Sequence, residues 1–232
     1  MKIVAAETSI VEIPFRLRGS GVGIMPTAWK SLEFALVRLE DEQGHIGWGE
    51  GFGYFTVDAT KALIDRLILP TLVGATIEDI PAWNLLTQRR LHMFGRYGIT
   101  IFAIGGVDLA LWDLQAKRAG VPLWQLLGAA APCATVPAYA SLVRYADAAL
   151  AVQSCAEVLQ AGFTAIKLHE IGLPEIAACR AAIGPATALC VDVNCAWSVD
   201  FVEQHRAELD ALGLTWLEEP VFPPEDFAAL AS

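Results

Sequence analysis

The second half of the sequence repeats a short apolar run that ends in polar residues. Lys167 and Asp192 are 25 residues apart, and Asp192 and Glu218 are 26 residues apart. This period accommodates one strand, one helix and two loops, which is the βα unit of a parallel sheet. The carboxyl ends of such strands meet on one face, where (β/α) barrels carry their functional residues. The runs are TVPAYA (135–140), TAIKLHE (164–170), ALCVDVN (188–194) and LTWLEEP (214–220).

The first half of the sequence predicts three strands followed by helices. Alternating apolar residues predict strands over 2–13 and 32–39, and a third strand that runs into the Gly-rich segment 49–55. Helical spacing then predicts helices over 57–74, with an end at Pro70, and over 77–94 and 100–120. We therefore expect an N-terminal α+β domain over residues 1–127 and a partial (β/α) barrel domain over residues 128–232, with 126–137 as the linker.

Composition and charge narrow the class of protein. A hydrophobic content of 55% with 18% charged residues argues against disorder. The net charge of −10 disfavours nucleic acid and anionic membranes as partners. The most apolar stretch, 99–114, contains Asp108 and Asp113, which argues against a membrane span. Five cysteines without a CxxC pair, and a start that lacks a signal peptide, predict a cytoplasmic protein with reduced thiols.

Four motifs carry a family resemblance. The segment 103–128 predicts a buried helix with an Asp113–Lys117 pair, which Gly120 ends. This segment, followed in order by Lys167-Leu-His169, Asp192-Val-Asn194 and Glu218-Glu-Pro, resembles the mandelate racemase / muconate lactonizing enzyme family of the enolase superfamily. The resemblance implies an α/β fold: an α+β capping domain followed by the first half of a modified TIM-type (β/α)7β barrel.

The resemblance also implies a metal site. Asp192 and Glu218 match the first and second metal ligands of the family, and Mg²⁺, or Mn²⁺ in its place, is the expected cofactor. Carboxylate oxygens suit Mg²⁺, which keeps positions for water and substrate oxygens. Asn194 lies two residues beyond Asp192, so strand alternation would point it the same way. We expect Asn194 to support the ligands rather than to coordinate the metal.

Lys167 and His169 are the predicted catalytic pair. In the family this strand end usually reads Lys-x-Lys, where the second lysine is the base and the first contacts the substrate. Histidine can replace that base because it accepts protons near neutral pH. Lys167 beside His169 would favour the neutral imidazole by like-charge repulsion. The alternative for His169 is a packed residue hydrogen-bonded at a strand end.

The histidine at position 169 indicates which reaction of the family to expect. It argues against the muconate lactonizing branch, which uses two lysines, and favours the racemase and dehydratase branch. The implied reaction is the abstraction of the α-proton of a small carboxylate, most commonly in the dehydration of a sugar acid or hydroxy acid. The alternative is a racemase or epimerase of an α-hydroxy acid. A homo-oligomer is the expected assembly.

Two loops, 15–30 and 50–56, match the segments that cover the substrate in the family. Their aromatic residues are candidates to line the pocket, or else they pack the domain interface. They are Trp29, Phe52, Tyr54 and Phe55.

The sequence stops at Ser232, soon after the fourth barrel run. The third metal ligand and the catalyst of the opposite face, which the family carries on later strands, are therefore expected outside these residues, and we expect the chain alone to be inactive. Two other classes stay open. A non-catalytic relative would serve as a binding module, and an unrelated hydrolase would use zinc, although no His-rich metal cluster is present in the sequence.

Overall fold

The computed structural model describes residues 1–19, 29–129, 131, 133, 135–223, 228 and 230. The chain divides into two compact units. Unit 1 comprises Met1–Phe15 and Ser31–Ala134, and unit 2 comprises Arg16–Lys30 and Thr135–Ser232. Part of the loop after the first strand belongs to unit 2, where Arg18 pairs with Glu157 at 2.6 Å.

Unit 1 begins with the predicted three-stranded sheet, which is antiparallel. Its strands β1 (Ile3–Pro14), β2 (Ser31–Asp41) and β3 (Ile46–Phe52) are arranged in the order β1-β2-β3. Alternate residues of β2, among them Ala35, Val37 and Leu39, are fully buried in the core of this unit. The period-2 pattern therefore reflects one buried face, as predicted.

The helices of unit 1 follow the sheet. They are α1 (Val57–Leu63), a π-helical segment (Ile64–Ile68), α2 (Leu69–Leu72), α3 (Ile80–Leu91) with a 3-10 turn (His92–Phe94), α4 (Ile99–Ala119) and α5 (Leu123–Leu126). The first three of these segments form one continuous helical run, which continues past the predicted end at Pro70 to Leu72. Proline lacks an N–H and its ring crowds the carbonyl of the preceding turn. The wider π segment directly before α2 accommodates Pro70, which lies in the first turn of α2.

The long apolar helix α4 is the core helix of unit 1. Its length and hydropathy would suit a membrane span, but half of that stretch is buried within the protein. Asp113 on α4 accepts the backbone N–H of Trp48 at 2.8 Å and pairs with Lys117 at 2.7 Å. The helix packs directly on β3. The approach is so close that a Cβ at Gly49 would lie 2.0 Å from the carbonyl oxygen of Gly106.

Unit 2 alternates strands and helices, as the repeat predicts. In chain order it contains β4 (Ala140–Ser141), α6 (Ala148–Gln160), β5 (Ala165–Leu168), α7 (Leu173–Ile183), β6 (Ala188–Asp192), α8 (Val199–Gln204), α9 (Arg206–Ala211) and β7 (Trp216–Glu218). The four strands are parallel in the order β4-β5-β6-β7. The predicted fold class, an α+β domain followed by the first half of a (β/α) barrel, is confirmed.

The first strand of unit 2 differs from its prediction. The run 135–140 was expected to be a strand, but β4 contains only Ala140 and Ser141, which pair with Ile166 and Lys167. Because β5 begins at Ala165, the residues before Ala140 have almost no strand beside them to pair with. Apolar alternation predicts which face a strand buries, but the length of the ladder depends on its neighbour.

Candidate active site

The carboxyl ends of the parallel strands hold the polar residues of the repeat. Lys167 lies near the end of β5, and His169 directly follows that strand. Asp192 and Glu218 are the last residues of β6 and β7, and they are opposite one another in the ladder. Since the three strands are parallel, all four residues lie at the same edge of the sheet.

The four side chains form one connected cluster through Lys167 and Asp192. Lys167 Nζ lies 3.3 Å from Asp192 Oδ2 and 3.2 Å from Glu218 Oε2. His169 Nε2 lies 3.4 Å from the same oxygen of Asp192. The structure thus brings together the predicted catalytic pair and the two predicted metal ligands.

Asp192 is held by its own chain. Its Oδ1 accepts the backbone N–H of Asn194 at 2.9 Å, which leaves Oδ2 for Lys167 and His169. Asn194 has a left-handed φ of 48°, and β6 ends at Asp192, so the strand alternation does not extend to Asn194. The contact that the structure gives Asn194 is therefore made by its backbone, not by its side chain.

The orientation of His169 follows from its second nitrogen. Nδ1 lies 2.6 Å from the carbonyl oxygen of Leu142, which follows β4. A carbonyl oxygen can only accept, so Nδ1 carries the hydrogen and the neutral ring has its lone pair on Nε2. Nε2 is the nitrogen on the side of Asp192, 3.4 Å from its Oδ2.

Lys167 is a cation in this site. Burial lowers the pKa of its ammonium group, but the hydrogen bonds to Glu218 and Asp192 outweigh burial and raise the pKa above its usual value. Nζ also lies 5.8 Å from the centre of the Tyr139 ring. The charge of Lys167 is thus balanced by two carboxylates at the strand ends.

The sequence analysis missed two residues near the site. Trp216 donates its indole N–H to Glu218 Oε2 at 3.2 Å. Glu170 is 1% exposed and accepts the backbone N–H groups of Tyr145 at 2.6 Å and Ala146 at 3.1 Å. A signal existed for Trp216, because residues two apart on a strand share a face. No sequence signal indicated the role of Glu170, since its partners lie on the loop after β4.

The predicted pocket aromatics are divided between the units. Phe52, Tyr54 and Phe55 belong to unit 1, where the Phe52 ring lies 4.1 Å from that of Tyr54 and 4.6 Å from that of Phe102. Trp29 belongs to unit 2, and residues 20–28 of its loop are outside the described residues. That these side chains line a substrate pocket stays a prediction.

The donor set fits a divalent cation of the magnesium type. The carboxylates of Asp192 and Glu218 converge on one ammonium nitrogen, so the space between them accommodates positive charge. Carboxylate oxygens are the ligands that Mg²⁺ prefers. Within the described residues, no group of three or more His, Cys, Asp or Glu side chains is placed to hold a metal ion. Two carboxylates are therefore what this part of the chain offers.

Comparison with known proteins identifies the family. Residues 5–128 match the N-terminal domain of mandelate racemase / muconate lactonizing enzyme, and residues 150–232 match the enolase C-terminal domain-like family. The chain belongs to the mandelate racemase / muconate lactonizing enzyme family of the enolase superfamily, which confirms the resemblance seen in the sequence.

Several relatives have names that describe enzymes of sugar-derived acids. The chain is 34% identical to the 3,6-anhydro-alpha-L-galactonate cycloisomerase of Streptomyces coelicolor, over 93% of the chain and 60% of the relative. It is 30% identical to the arabinonate dehydratase of Saccharolobus solfataricus, over 82% of the chain and 53% of the relative. The chain thus spans a little over half the length of these curated relatives.

A solved structure shows the same fold. The crystal structure of a racemase from Streptomyces coelicolor A3(2) with bound magnesium superposes with a TM-score of 0.84 at 32% identity. The superposition covers 95% of this chain and 63% of that protein. The fold is therefore shared with a magnesium-binding relative.

Proposed function

We propose that this chain carries the proton-abstracting side of an Mg²⁺-dependent enzyme that dehydrates a sugar acid or a related hydroxy acid. The observation that carries the proposal is the cluster of Lys167, His169, Asp192 and Glu218 at one edge of the sheet, with Lys167 and His169 sharing one oxygen of Asp192. The names of the relatives support the substrate class, since arabinonate is a sugar acid.

Asp192 and Glu218 are the proposed metal ligands. A divalent cation bound there would stabilise the negative charge that develops on the substrate carboxylate as the α-proton leaves. Asp192 offers one oriented oxygen because the N–H of Asn194 holds the other. In this proposal Asn194 supports the ligand through its backbone. Mn²⁺ would suit the same oxygen ligands.

His169 is the proposed base. The hydrogen bond from Nδ1 to Leu142 fixes the ring and leaves the Nε2 lone pair to accept the α-proton. Lys167 keeps a positive charge beside the ring, where it can contact the substrate carboxylate. In a dehydration, the electron pair left at the α-carbon then expels the β-hydroxyl group, which leaves as water after it takes up a proton.

An isomerase is the second candidate. Two relatives favour it by name, the 3,6-anhydro-alpha-L-galactonate cycloisomerase and the racemase with bound magnesium. The first step at His169 would be the same. The product distinguishes the two reactions: a dehydratase yields a 2-keto-3-deoxy acid and water, whereas an isomerase yields a product of unchanged mass.

The proposed setting is a cytoplasmic homo-oligomer that takes a small carboxylate. Cys155, Cys179, Cys190 and Cys195 are free thiols in the structure, which suits a reducing compartment. Apolar side chains of α3 and of the segment that follows it are exposed, as an assembly surface would require. They are Leu85, Leu86, Met93, Phe94 and Tyr97.

Hydrogen exchange tests the proposed base. In D₂O with Mg²⁺ and a panel of sugar acids, proton NMR follows the loss of the substrate α-hydrogen signal. In any form of the protein that catalyses this exchange, His169→Asn is expected to abolish it with little change in substrate binding, because the interaction lost belongs to the transition state. His205→Asn is the matched control, since the hydrogen bond that the structure describes for its ring is made to the carbonyl oxygen of Phe201 in the same helical region. Exchange at the wild-type rate in His169→Asn would show that His169 is structural.

A further inference from the structure

We propose that Trp216 is a positioning residue for the Glu218 carboxylate. Its indole N–H holds one carboxylate oxygen and thereby leaves the other oriented toward a divalent cation. This inference rests on the proposed function, since it takes Glu218 as a metal ligand.

The two oxygens of Glu218 are not equivalent. Oε2 lies 3.2 Å from Trp216 Nε1 and also 3.2 Å from Lys167 Nζ. Within the described part of the chain, the contact of Oε1 is the longer one with Lys167, at 3.4 Å. Because Oε2 already accepts from two donors, Oε1 is the oxygen with free acceptor capacity.

Glu218 needs such a partner more than Asp192 does. The Glu218 side chain is 39% exposed, whereas that of Asp192 is 6% exposed and is held by the backbone N–H of Asn194. Among the contacts that the structure describes, the Glu218 carboxylate accepts hydrogen bonds from the side chains of Lys167 and Trp216 and none from a backbone N–H. A long and exposed carboxylate loses more conformational freedom when it binds a metal, so a fixed donor lowers that cost.

Trp216 is itself well placed to act as a fixed donor. It pairs with Cys190 in the β6–β7 ladder, and its ring meets the Tyr139 ring edge-on, with centroids 5.6 Å apart and an interplanar angle of 74°. Trp216 is nevertheless 40% exposed, so core packing alone does not account for its position. Its N–H points to the carboxylate two residues along the same strand.

Calorimetry with Mg²⁺ tests the role on the full chain. Trp216→Phe keeps an aromatic ring but removes the N–H, and we expect it to weaken Mg²⁺ binding by about 10-fold, the lower end for partners of metal ligands. Trp48→Phe is the matched control, because Trp48 is exposed to a similar extent, 43%, and belongs to unit 1. The control should bind Mg²⁺ like the wild type.

The indole resonance gives a readout that needs neither turnover nor a stable Trp216 variant. In metal-free protein labelled with ¹⁵N, the assigned Trp216 indole N–H signal should shift in Glu218→Gln, because a charged acceptor is lost. It should shift again when Mg²⁺ is added to the wild type. An unmoved indole signal in Glu218→Gln, or wild-type Mg²⁺ affinity in a folded Trp216→Phe, would overturn the positioning role and leave the proposed function standing. Unchanged Mg²⁺ affinity in Glu218→Gln would overturn both.

Discussion

At the scale of single residues, Asp41 at the end of β2 carries a buried carboxylate that accepts several hydrogen bonds outside the site. Its side chain is fully buried, and it accepts the backbone N–H groups of Gln43 and His45, both at 2.9 Å, and a guanidinium N–H of Arg118 at 2.8 Å. Burial raises the pKa of Asp41, but these hydrogen bonds outweigh burial and lower the pKa to about 2. The turn between β2 and β3 is therefore tied to α4 by a charged group.

This low pKa predicts how stability depends on pH. An unfolded aspartate has a pKa of about 3.9, so between about pH 4 and pH 2 the unfolded chain binds more protons at this position. The stabilisation, about 2 kcal/mol, should be complete above pH 4 and lost as the pH falls to 2. Urea unfolding across this range measures it. The Asp41→Asn variant should be less stable than the wild type at pH 7, and its free energy of unfolding should fall less between pH 4 and pH 2. The exposed control variant, Asp210→Asn, should follow the wild type. An equally steep fall in Asp41→Asn would contradict this account.

At the scale of secondary-structure elements, the contact between β3 and α4 depends on glycine. A Cβ at Gly47 would lie 2.2 Å from the carbonyl oxygen of Ala110, and one at Gly49 would lie 2.0 Å from that of Gly106. These neighbours are backbone atoms, which cannot move aside as side chains do. The helix and the strand can therefore approach this closely only without side chains at these positions.

Two alanine substitutions should have opposite effects on stability. Gly49→Ala forces β3 and α4 apart and should cost at least about 3 kcal/mol, at or beyond the upper range for overpacking. Gly105→Ala lies on α4 with open space around its Cβ and should stabilise the helix by about 0.5–1 kcal/mol. Thermal and urea unfolding of both variants provide the measurement. Equal unfolding midpoints for the two variants would refute the close-contact interpretation.

The sequence predicts elements better than their limits and contacts. The repeat predicts the strands that carry Lys167, Asp192 and Glu218, because parallel strands joined by helices recur at a nearly fixed spacing. It cannot predict that β4 is short or that Glu170 binds the loop after β4, because both depend on which backbone the fold places beside them. Asn194 differs from its prediction for a local reason, since the chain turns left-handed directly after β6.

At the scale of the whole molecule, the central feature is a set of strand ends that concentrates charge at one edge of a parallel sheet. No single strand forms the site, because Lys167, Asp192 and Glu218 come from three strands. The chain as a whole carries a net charge of −10, which attracts cations in general. A specific metal site must therefore be distinguished from this general attraction of cations. Glu218 and Glu219, which are adjacent in the sequence, allow that test.

Calorimetric titration of the 232-residue chain with Mg²⁺ and Mn²⁺ tests the central claim most directly. Asp192→Asn and Glu218→Gln each remove one proposed ligand, whereas Glu219→Gln removes the same charge from the neighbouring residue, for which we propose no role in the site. We expect one weak site in the wild type and in Glu219→Gln, and its loss in the other two variants. Equal Mg²⁺ affinity in all four proteins would contradict the assignment of Asp192 and Glu218 as metal ligands.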